Sequence, residues 1–378
     1  MSEKFELVIP TLFGLEAIVS KELYRLGYDT KKTEDGRVVF EGDFDAIYRS
    51  NIWLRCGERV LIKVGEFHAE TADDLYEGVK ALSWERFITK NDAFPVKGRT
   101  IRSTLNSDRN SQIIIKKAIA DRLSEKYSIS WLPETDVEYQ IQFTIINNVA
   151  TLMIDTSGAP LHKRGYRAKS NLAPLRETIA AAMVMISYWK FEEPLCDPFC
   201  GSGTIPIEAA MFKRNIAPGI MRDFDFLKFH QTDINQFNDI KMEAYESVHK
   251  DVTLDITASD IDDYALELTA HNAKKAGVNE FIKVEKKDAR KLFFNTPCGS
   301  VITNPPYGER LSDLKESKQL YREIGKTFDK LDRWSYYILT SHDEFEKEFG
   351  KKSNRRRKIY NGMLRCHLYQ YYGNKPKK

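Results

Sequence analysis

The pattern that most constrains the fold is a series of short apolar runs, each followed by a helical stretch, between about residues 166 and 340. Such alternation is typical of a doubly wound parallel sheet, because a crossover helix must carry the chain from one parallel strand to the next. The predicted strands are residues 194–199, 255–259, 281–285, 300–303 and 335–340. We therefore predict an α/β sheet in this half of the chain.

A tight antiparallel turn is predicted close to the C-terminus. Apolar-rich runs at residues 357–360 and 363–372 flank Asn361-Gly362, and Asn-Gly favours a two-residue hairpin turn. Before this, residues 265–275 form a good crossover helix, and Gly277 stands where a left-handed residue commonly caps a helix. The sequence therefore predicts a parallel sheet that finishes with an antiparallel hairpin.

The first half of the chain mixes helices and strands differently. Residues 1–66 contain a predicted strand at 5–10, a helix at 14–26 and a strand at 37–40, which indicates a small α+β unit. A second α+β unit, residues 67–162, has predicted helices at 73–87 and 111–127, a strand at 99–103 and an apolar-polar alternation over 137–154. Asn147-Asn148 interrupts that alternation where a hairpin turn would lie. Residues 163–378 form the third unit.

Composition excludes several classes of protein. The sequence has no run of 18 apolar residues, and its start lacks the basic and apolar segments of a signal peptide, so we expect neither membrane spanning nor export. Five scattered cysteines indicate a reducing, cytoplasmic location more than a disulfide framework. Cys196 and Cys200 lack a second ligand pair or a nearby histidine, and we expect no metal site.

Basic residues are concentrated in three stretches, although the formal net charge is only +3. One stretch runs from Lys97 to Lys126, a second from His162 to Lys169, and the third covers residues 350–378, which contain no acidic residue. Three separate patches favour a polyanionic partner, while a solvated surface explains any one of them equally well. The candidate RNA-binding residues are Arg99, Arg102, Lys116, Lys163, Arg164 and Arg167.

A glycine-containing loop follows the first predicted strand of the α/β sheet and leads into a predicted helix at 205–213. It consists of Asp197, Pro198, Phe199, Cys200, Gly201, Ser202, Gly203 and Thr204. Glycines allow a ligand to approach the backbone closely, and the helix start offers free N–H groups. A P-loop would need a lysine after its glycines, and a dinucleotide-binding loop would need a third glycine where this chain has Pro206.

Acidic residues at successive strand ends favour S-adenosylmethionine, which carries a sulfonium, an ammonium, a ribose diol and an adenine. Asp197 can face the cationic methionine part, and Asp260 can accept from the ribose hydroxyls, with Asp262 as its competitor beyond Ile261. Asp288, which precedes Ala289, can reach the adenine amine. Each acid alone is more often a helix cap or a loop residue, but their order along the strands is harder to explain in that way.

Asn304-Pro305-Pro306-Tyr307 follows the fourth predicted strand. Two prolines make the loop rigid, Asn304 contributes a side-chain oxygen acceptor, and Tyr307 contributes an aromatic face. Acceptors beside a stacking surface suit a planar base that carries an exocyclic amine. A proline-rich turn with a structural tyrosine is an equally good explanation of the four residues taken alone.

Three segments together resemble class I methyltransferases that modify exocyclic amines: DPFCGSGTIPIEAA at 197–210, SDID at 259–262 and NPPYGER at 304–310. The preceding half resembles a ferredoxin-like segment followed by a THUMP domain, an RNA-binding module. LHKRGYR at 161–167 and APLRETIAAAMV at 173–184 are similar to the junction between THUMP and catalytic domains. RNIAPGIMRDFDF at 214–226 resembles the branch that acts on guanine N2 of 23S ribosomal RNA.

The resemblance implies a Rossmann-like class I methyltransferase domain after ferredoxin-like and THUMP domains, with S-adenosylmethionine as cofactor and ribosomal RNA or its precursor particle as partner. It implies that the Asn304 side chain and the Pro305 carbonyl hold the target amine, that Tyr307 stacks on the base, and that Asn304 also borders the cofactor. Adenine N6 in DNA or RNA and guanine N2 in transfer RNA stay open as targets. A non-enzymatic assembly factor with a vestigial methyltransferase fold is the alternative of another class.

Overall fold

The computed structural model describes residues 3–167, 175–190, 192–307, 311–331, 333–362 and 364–374. Its chain forms two mixed α/β halves, and each half is built on a seven-stranded sheet. Lys169, the final residues of the basic C-terminal stretch and the end of the NPPYGER segment lie outside the described residues. None of the described helices combines the length and apolar character needed to cross a bilayer.

The first sheet has the strand order β2-β3-β1-β4-β7-β6-β5. Its strands are Phe5–Pro10 (β1), Thr30–Glu34 (β2), Arg37–Gly42 (β3), Leu61–His68 (β4), Val96–Ile101 (β5), Ile141–Ile146 (β6) and Val149–Asp155 (β7). The beginning of β4 pairs with β1, where Ile62 lies opposite Leu7, and its whole length pairs with β7. The boundary predicted at residue 66 therefore falls inside a strand that joins the first two units into one sheet.

Four helices cover this sheet in the described residues, and side-chain caps fix where three of them begin. They are Glu16–Arg25 (α1), Phe44–Trp53 (α2), Ala72–Lys80 (α3) and Asp108–Tyr127 (α4). Asp43 caps α2, Ser107 caps α4, and Thr71 and Asp74 form a capping box at α3. The helix predicted over 73–87 is wrong in its second half. The chain leaves α3 after Lys80, and the buried Trp84 indole donates to the Val79 carbonyl at 2.8 Å.

The hairpin predicted at Asn147-Asn148 is confirmed. Both residues have positive φ, at 50° and 64°, and they connect β6 to β7 with Ile146 opposite Val149. Two central residues with positive φ match the twist of the flanking strands, and asparagine tolerates that conformation better than most residues.

The second sheet has the strand order β10-β9-β8-β11-β12-β14-β13. Its strands are Leu195–Asp197 (β8), Ile256–Asp260 (β9), Ile282–Lys286 (β10), Gly299–Thr303 (β11), Trp334–Thr340 (β12), Arg355–Asn361 (β13) and Leu364–Tyr371 (β14). The strands from β8 to β12 are parallel to one another, while β14 is antiparallel to both β12 and β13. The predicted parallel sheet with a final antiparallel hairpin is confirmed.

Six α-helices lie in the described part of this half. They are Glu177–Ser187 (α5), Thr204–Lys213 (α6), Ile234–Glu246 (α7), Asp263–Lys275 (α8), Leu311–Phe328 (α9) and Phe345–Phe349 (α10). Gly277 has φ +68° after α8, as the sequence predicted. The last hairpin turn lies one residue later than predicted, because Asn361 still pairs with Leu364 as the end of β13.

The two halves are held together by the segment at 214–226. Gly219 N donates to the Ile52 carbonyl at 2.8 Å, and a side chain in place of its hydrogen would lie 2.5 Å from the Asn51 carbonyl oxygen. Phe226 packs on Tyr48 with ring centroids 5.0 Å apart. This segment therefore docks the α/β half directly on α2 of the first half.

Candidate functional site

Four polar residues end neighbouring strands at one edge of the second sheet. Asp197 ends β8, Asp260 ends β9, Asp288 follows β10 and Asn304 follows β11. β8 and β11 are neighbours in the sheet, although β9 and β10 lie between them along the chain. The direction in which strands are added to the sheet therefore reverses between β8 and β11. Ligands in open α/β sheets bind at such a reversal, beyond the carboxyl ends of the strands.

The glycine loop is held by α8, whose part in the site the sequence did not reveal. Thr269 Oγ1 donates to the Gly201 carbonyl at 3.0 Å, and Asn272 Nδ2 donates to the Ser202 carbonyl at 2.9 Å. Gly203 has φ +81°, and an added Cβ would lie 2.8 Å from Thr269 Cγ2. Glycine is therefore required there by both conformation and space.

Asp197 lies in the centre of the site and is buried. Its Oδ1 accepts from Thr303 Oγ1 at 2.6 Å and from Phe199 N at 3.2 Å. Burial raises the pKa of Asp197 to about 7, which the Thr303 and Phe199 hydrogen bonds oppose and the nearby Asp260 reinforces. Among the described residues no lysine or arginine is paired with this carboxylate, so it suits a cationic ligand. Thr303 is a residue that sequence analysis missed.

Asp260 and Asp262 have different local roles. Asp260 accepts from Gly201 N at 3.0 Å and from Ile261 N at 2.8 Å, and these bonds fix its carboxylate against the glycine loop. Asp262 caps α8 by accepting from Tyr264 N at 3.0 Å. The geometry therefore favours Asp260 over its competitor as the second acid of the site, and Ile261 between them is exposed.

Asp288 is engaged by its own neighbour. Its carboxylate accepts from Arg290 N at 2.9 Å and from the Arg290 guanidinium at 2.7 Å, and these bonds lower its pKa. Ala289 beside it is buried. Asp288 thus stays ionised, with its remaining lone pairs available to a ligand donor.

The Asn304-Pro305-Pro306-Tyr307 loop is fixed at both ends. The Tyr307 hydroxyl donates to Asn304 Oδ1, and the Pro306 carbonyl accepts from Tyr321 OH at 2.7 Å. Tyr321 also bonds Thr340 Oγ1 at 3.1 Å, which ties the loop to the end of β12. Tyr307 is partly buried against the core beside Cys366, and burial raises the pKa of its hydroxyl. In this arrangement the Asn304 oxygen is occupied, and the tyrosine ring is less open than a free stacking face would be.

The predicted RNA-binding residues lie in different environments. Arg99, Arg102 and Lys163 are exposed. Lys116 bonds Glu134 Oε2 at 2.5 Å and lies over the Phe94 ring at 3.7 Å, so part of its charge is used within the fold.

The prediction for Arg164 is wrong, because its side chain is only 1% exposed. It lies 3.4 Å from the buried Glu208 and donates to the Leu161 carbonyl at 2.7 Å. Arg167 is half-buried and donates to Thr204 Oγ1 at 2.6 Å, so it supports the start of α6 at the glycine loop. The basic stretch at 162–167 therefore serves in part within the fold, since Arg164 also donates to the Arg55 carbonyl of the first half.

Three family models match the chain in order. Residues 6–61 match the RlmL ferredoxin-like domain, residues 69–155 match the THUMP domain, and residues 164–370 match the RMKL-like methyltransferase domain.

Curated relatives match along the whole chain. The chain is 41% identical to "Putative RNA methyltransferase YpsC" of Bacillus subtilis (strain 168), over 98% of this chain and 96% of that protein. It is 34% identical to the ribosomal RNA large subunit methyltransferase K/L of Psychromonas ingrahamii, over 96% of this chain. The chain spans about half the length of that second relative, 49%.

Two solved structures have the same fold over nearly their full length. SMU.472, "a putative methyltransferase complexed with SAH", has a TM-score of 0.94 and 42% identity, with 100% of both chains covered. A "predicted N6-adenine-specific DNA methylase" from Listeria monocytogenes has a TM-score of 0.93 and 45% identity, with 98% of this chain and 97% of that chain covered.

Proposed function

The chain belongs to the RlmL-like methyltransferases that carry a THUMP domain and use S-adenosylmethionine, and we propose that it methylates the exocyclic N2 amine of a guanine in large-subunit ribosomal RNA. One observation carries the site assignment. Hydrogen bonds join β11, β8, the glycine loop and β9 at a single edge, through the pairs Thr303–Asp197 and Gly201–Asp260. Asn304 follows Thr303 directly, so the loop that would hold the amine adjoins the carboxyl that would face the cofactor.

The cofactor would bind along this edge. S-adenosylmethionine supplies an activated methyl group on a sulfonium, with a good leaving group already in place. Asp197 would face the cationic methionine part, and its carboxyl has no cationic partner of its own among the described residues. Asp260 would accept from the ribose hydroxyls. The adenine would lie near Ile261, Asp288 and Ala289. The backbone of the glycine loop, residues 198–204, would contact the cofactor directly.

Asn304 and Pro305 would activate the amine of the base. An aryl amine is a poor nucleophile because its lone pair is delocalised into the ring, and acceptors for its hydrogens favour the pyramidal nitrogen that attacks. For this, the Tyr307 hydroxyl must release the Asn304 oxygen when the amine arrives. The released Tyr307 ring would then stack on the target base, which must leave its helix or loop to reach the methyl group. Because the sulfonium is already a good leaving group, positioning of the amine should supply most of the rate.

RNA as substrate is supported by the THUMP domain and by the exposed Arg99, Arg102 and Lys163. The choice of guanine rests on the resemblance of the segment at 214–226, and the choice of large-subunit ribosomal RNA rests on the similarity to the K/L enzymes, which are named for that RNA. Such a substrate would place the protein in the cytoplasm. The Listeria relative named for adenine N6 of DNA supports the second candidate, because an Asn-Pro-Pro-Tyr loop recognises an amine and not a particular base.

A methyl-transfer assay with radiolabelled S-adenosylmethionine tests the proposal. Purified protein is given deproteinised large-subunit ribosomal RNA from cells that lack it, intact precursor particles, or DNA. We expect label in RNA, and Asn304→Ala should lower turnover about a hundredfold while cofactor affinity stays nearly unchanged. Asn295→Ala, an exposed asparagine of the same half, is the matched control. Transfer to DNA alone would replace the proposal with the second candidate. Equal loss of turnover and cofactor affinity would make Asn304 mainly structural.

A further inference from the structure

An exposed aromatic and basic surface lies where the N-terminal segment meets the β13–β14 hairpin. The ring of Phe13 is 41% exposed and meets the edge of Tyr360 with centroids 6.1 Å apart. The Lys358 ammonium lies 5.6 Å from the Phe13 ring and 5.0 Å from the Tyr360 ring. We call this the hairpin surface, and it comprises Phe13, Arg356, Lys358, Tyr360 and Arg365.

The hairpin surface follows from strand alternation. Arg356, Lys358 and Tyr360 occupy alternate positions of β13 and therefore share one face, and Arg365 lies directly opposite Tyr360 on β14. Ile359 and Cys366 between them point to the other face and are buried. The face with Ile359 and Cys366 is thus buried, while the other face exposes Arg356, Lys358 and Arg365 beside Tyr360, although Tyr369 opposite Arg356 is buried.

The contact that places Phe13 on this surface is made by backbone atoms. Gly14 has φ +91°, and an added Cβ would lie 2.5 Å from the Lys358 carbonyl oxygen. Arg357 Nη1 donates to the Gly14 carbonyl at 3.1 Å. Because backbone fixes the approach, the aromatic ring and the cations are arranged before any partner binds, which lowers the entropy cost of binding.

Positive charge dominates here. Arg356, Lys358 and Arg365 are all exposed, and the carboxylate bonded to this set is Asp343, which accepts from Arg365 at 2.9 Å. His367, across from Lys358, has its pKa lowered by burial and then by Arg356 and Arg365. The field on this face therefore suits a polyanion.

The hairpin surface lies beside the amine-holding loop. His367 pairs with Thr340 at the end of β12, Thr340 bonds Tyr321, and Tyr321 bonds the Pro306 carbonyl. Cys366, which precedes His367, lies against Tyr307 on the opposite face of the hairpin. A strand that delivers a base to Asn304 would thus leave the site within reach of this surface.

We propose that the hairpin surface binds the single-stranded RNA next to the target nucleotide, with a flanking base stacked on Phe13 and neighbouring phosphates held by Arg356, Lys358 and Arg365. Aromatic rings interleaved with cations bind single strands in this way, because every base has a face to stack and every nucleotide has a phosphate. A folded acidic protein would complement the charge of the cations, but it would offer no flat base to stack on the exposed Phe13 ring. The inference rests on the proposed RNA methylation and extends it to the recognition of the sequence around the target.

Substitutions in the 378-residue chain separate the stacking contact from the phosphate contacts. Affinity for a short fluorescein-labelled single-stranded RNA of mixed sequence is measured by anisotropy over a range of NaCl concentrations. Phe13→Ala should weaken binding by about 5- to 150-fold without changing the salt slope, while Phe13→Tyr should retain affinity. The double variant Arg356→Ala/Lys358→Ala should reduce the slope of log K against log salt by about 1.4, because two phosphate contacts are lost.

The double variant Lys21→Ala/Tyr24→Ala is the matched control, since it removes one exposed cation and one exposed ring from α1. Calorimetric titration with S-adenosylmethionine verifies that each variant is folded. Affinity and salt slope equal to those of the control would overturn the inference. If the wild type methylates RNA in that case, only the role of the hairpin surface fails. If the wild type neither binds nor methylates RNA, the proposed function fails as well.

Discussion

Replacing Asp197 with asparagine should stabilise the ligand-free fold at pH 8 and weaken cofactor binding. The carboxyl is buried, and burial raises its pKa to about 7 from an ordinary value of 3.8. A raised pKa means that the folded state holds the proton more tightly than the unfolded state. The stability contributed by this group is therefore fully present below about pH 3.8 and is lost as the pH rises to 7. The full difference corresponds to about 4 kcal/mol at most.

Asparagine retains an oxygen that can accept from Thr303 Oγ1 and Phe199 N, but it cannot ionise. Relative to the wild type, the free energy of unfolding of Asp197→Asn should be nearly equal at about pH 4 and higher by roughly 2–4 kcal/mol at pH 8. Urea unfolding without cofactor, followed by tryptophan fluorescence, measures this difference. Asp239→Asn, an exposed position on α7, is the control. A difference that does not change between the two pH values would refute the burial argument.

The same carboxyl should make cofactor binding depend on pH. A cationic ligand favours the ionised form, so each pH unit below 7 should weaken wild-type affinity about tenfold. Isothermal titration with S-adenosylmethionine between pH 5.5 and 8 measures this, and Asp197→Asn should bind weakly with a flat profile. A flat profile for the wild type would remove Asp197 from contact with the cationic part of the cofactor.

Three further changes test other parts of the structure. Arg164→Met should lower the free energy of unfolding by about 3–5 kcal/mol in urea titrations, because it removes the guanidinium paired with the buried Glu208. A loss below about 1 kcal/mol would contradict this. Gly203→Ala should weaken the affinity for S-adenosylmethionine at least about tenfold, since the added Cβ would meet Thr269. Gly277 also has positive φ but open space around it, so Gly277→Ala should lower the free energy of unfolding by about 1 kcal/mol and leave cofactor affinity unchanged. Arg99→Ala/Arg102→Ala should flatten the salt dependence of RNA binding by about 1.4 in slope, and a slope equal to that of Lys90→Ala would assign both arginines to ordinary surface.

Local sequence was sufficient wherever the structure depends on neighbours along the chain. Strand-end acids, the Asn147-Asn148 turn and the glycine loop all express backbone preferences of nearby residues, and each has the predicted place in the fold. The parallel sheet with its final antiparallel hairpin was also predictable, because strands that alternate with crossover helices leave few arrangements.

Contacts between residues that are distant in sequence could not be predicted from local patterns. The sequence around Arg164 is typical of a surface cation, yet Arg164 lies in the interior, where it pairs with Glu208, 44 residues later. Thr269 and Asn272 hold the glycine loop from a helix that shows only ordinary amphipathic spacing. Tyr307 seemed free to stack, but the fold places it against Cys366 and Asn304. Each difference comes from a tertiary contact that no window of sequence includes.

The central claim is methyl transfer to guanine N2 of large-subunit ribosomal RNA. The most direct test isolates this RNA from wild-type cells, from cells lacking the protein, and from such cells complemented with Asn304→Ala. The RNA is digested to nucleosides, and the methylated species are identified by mass spectrometry. We expect one N2-methylguanosine to be lost with the protein and not to be restored by the variant. Loss of N6-methyladenosine instead, or no change in any methylated nucleoside of this RNA, would contradict it.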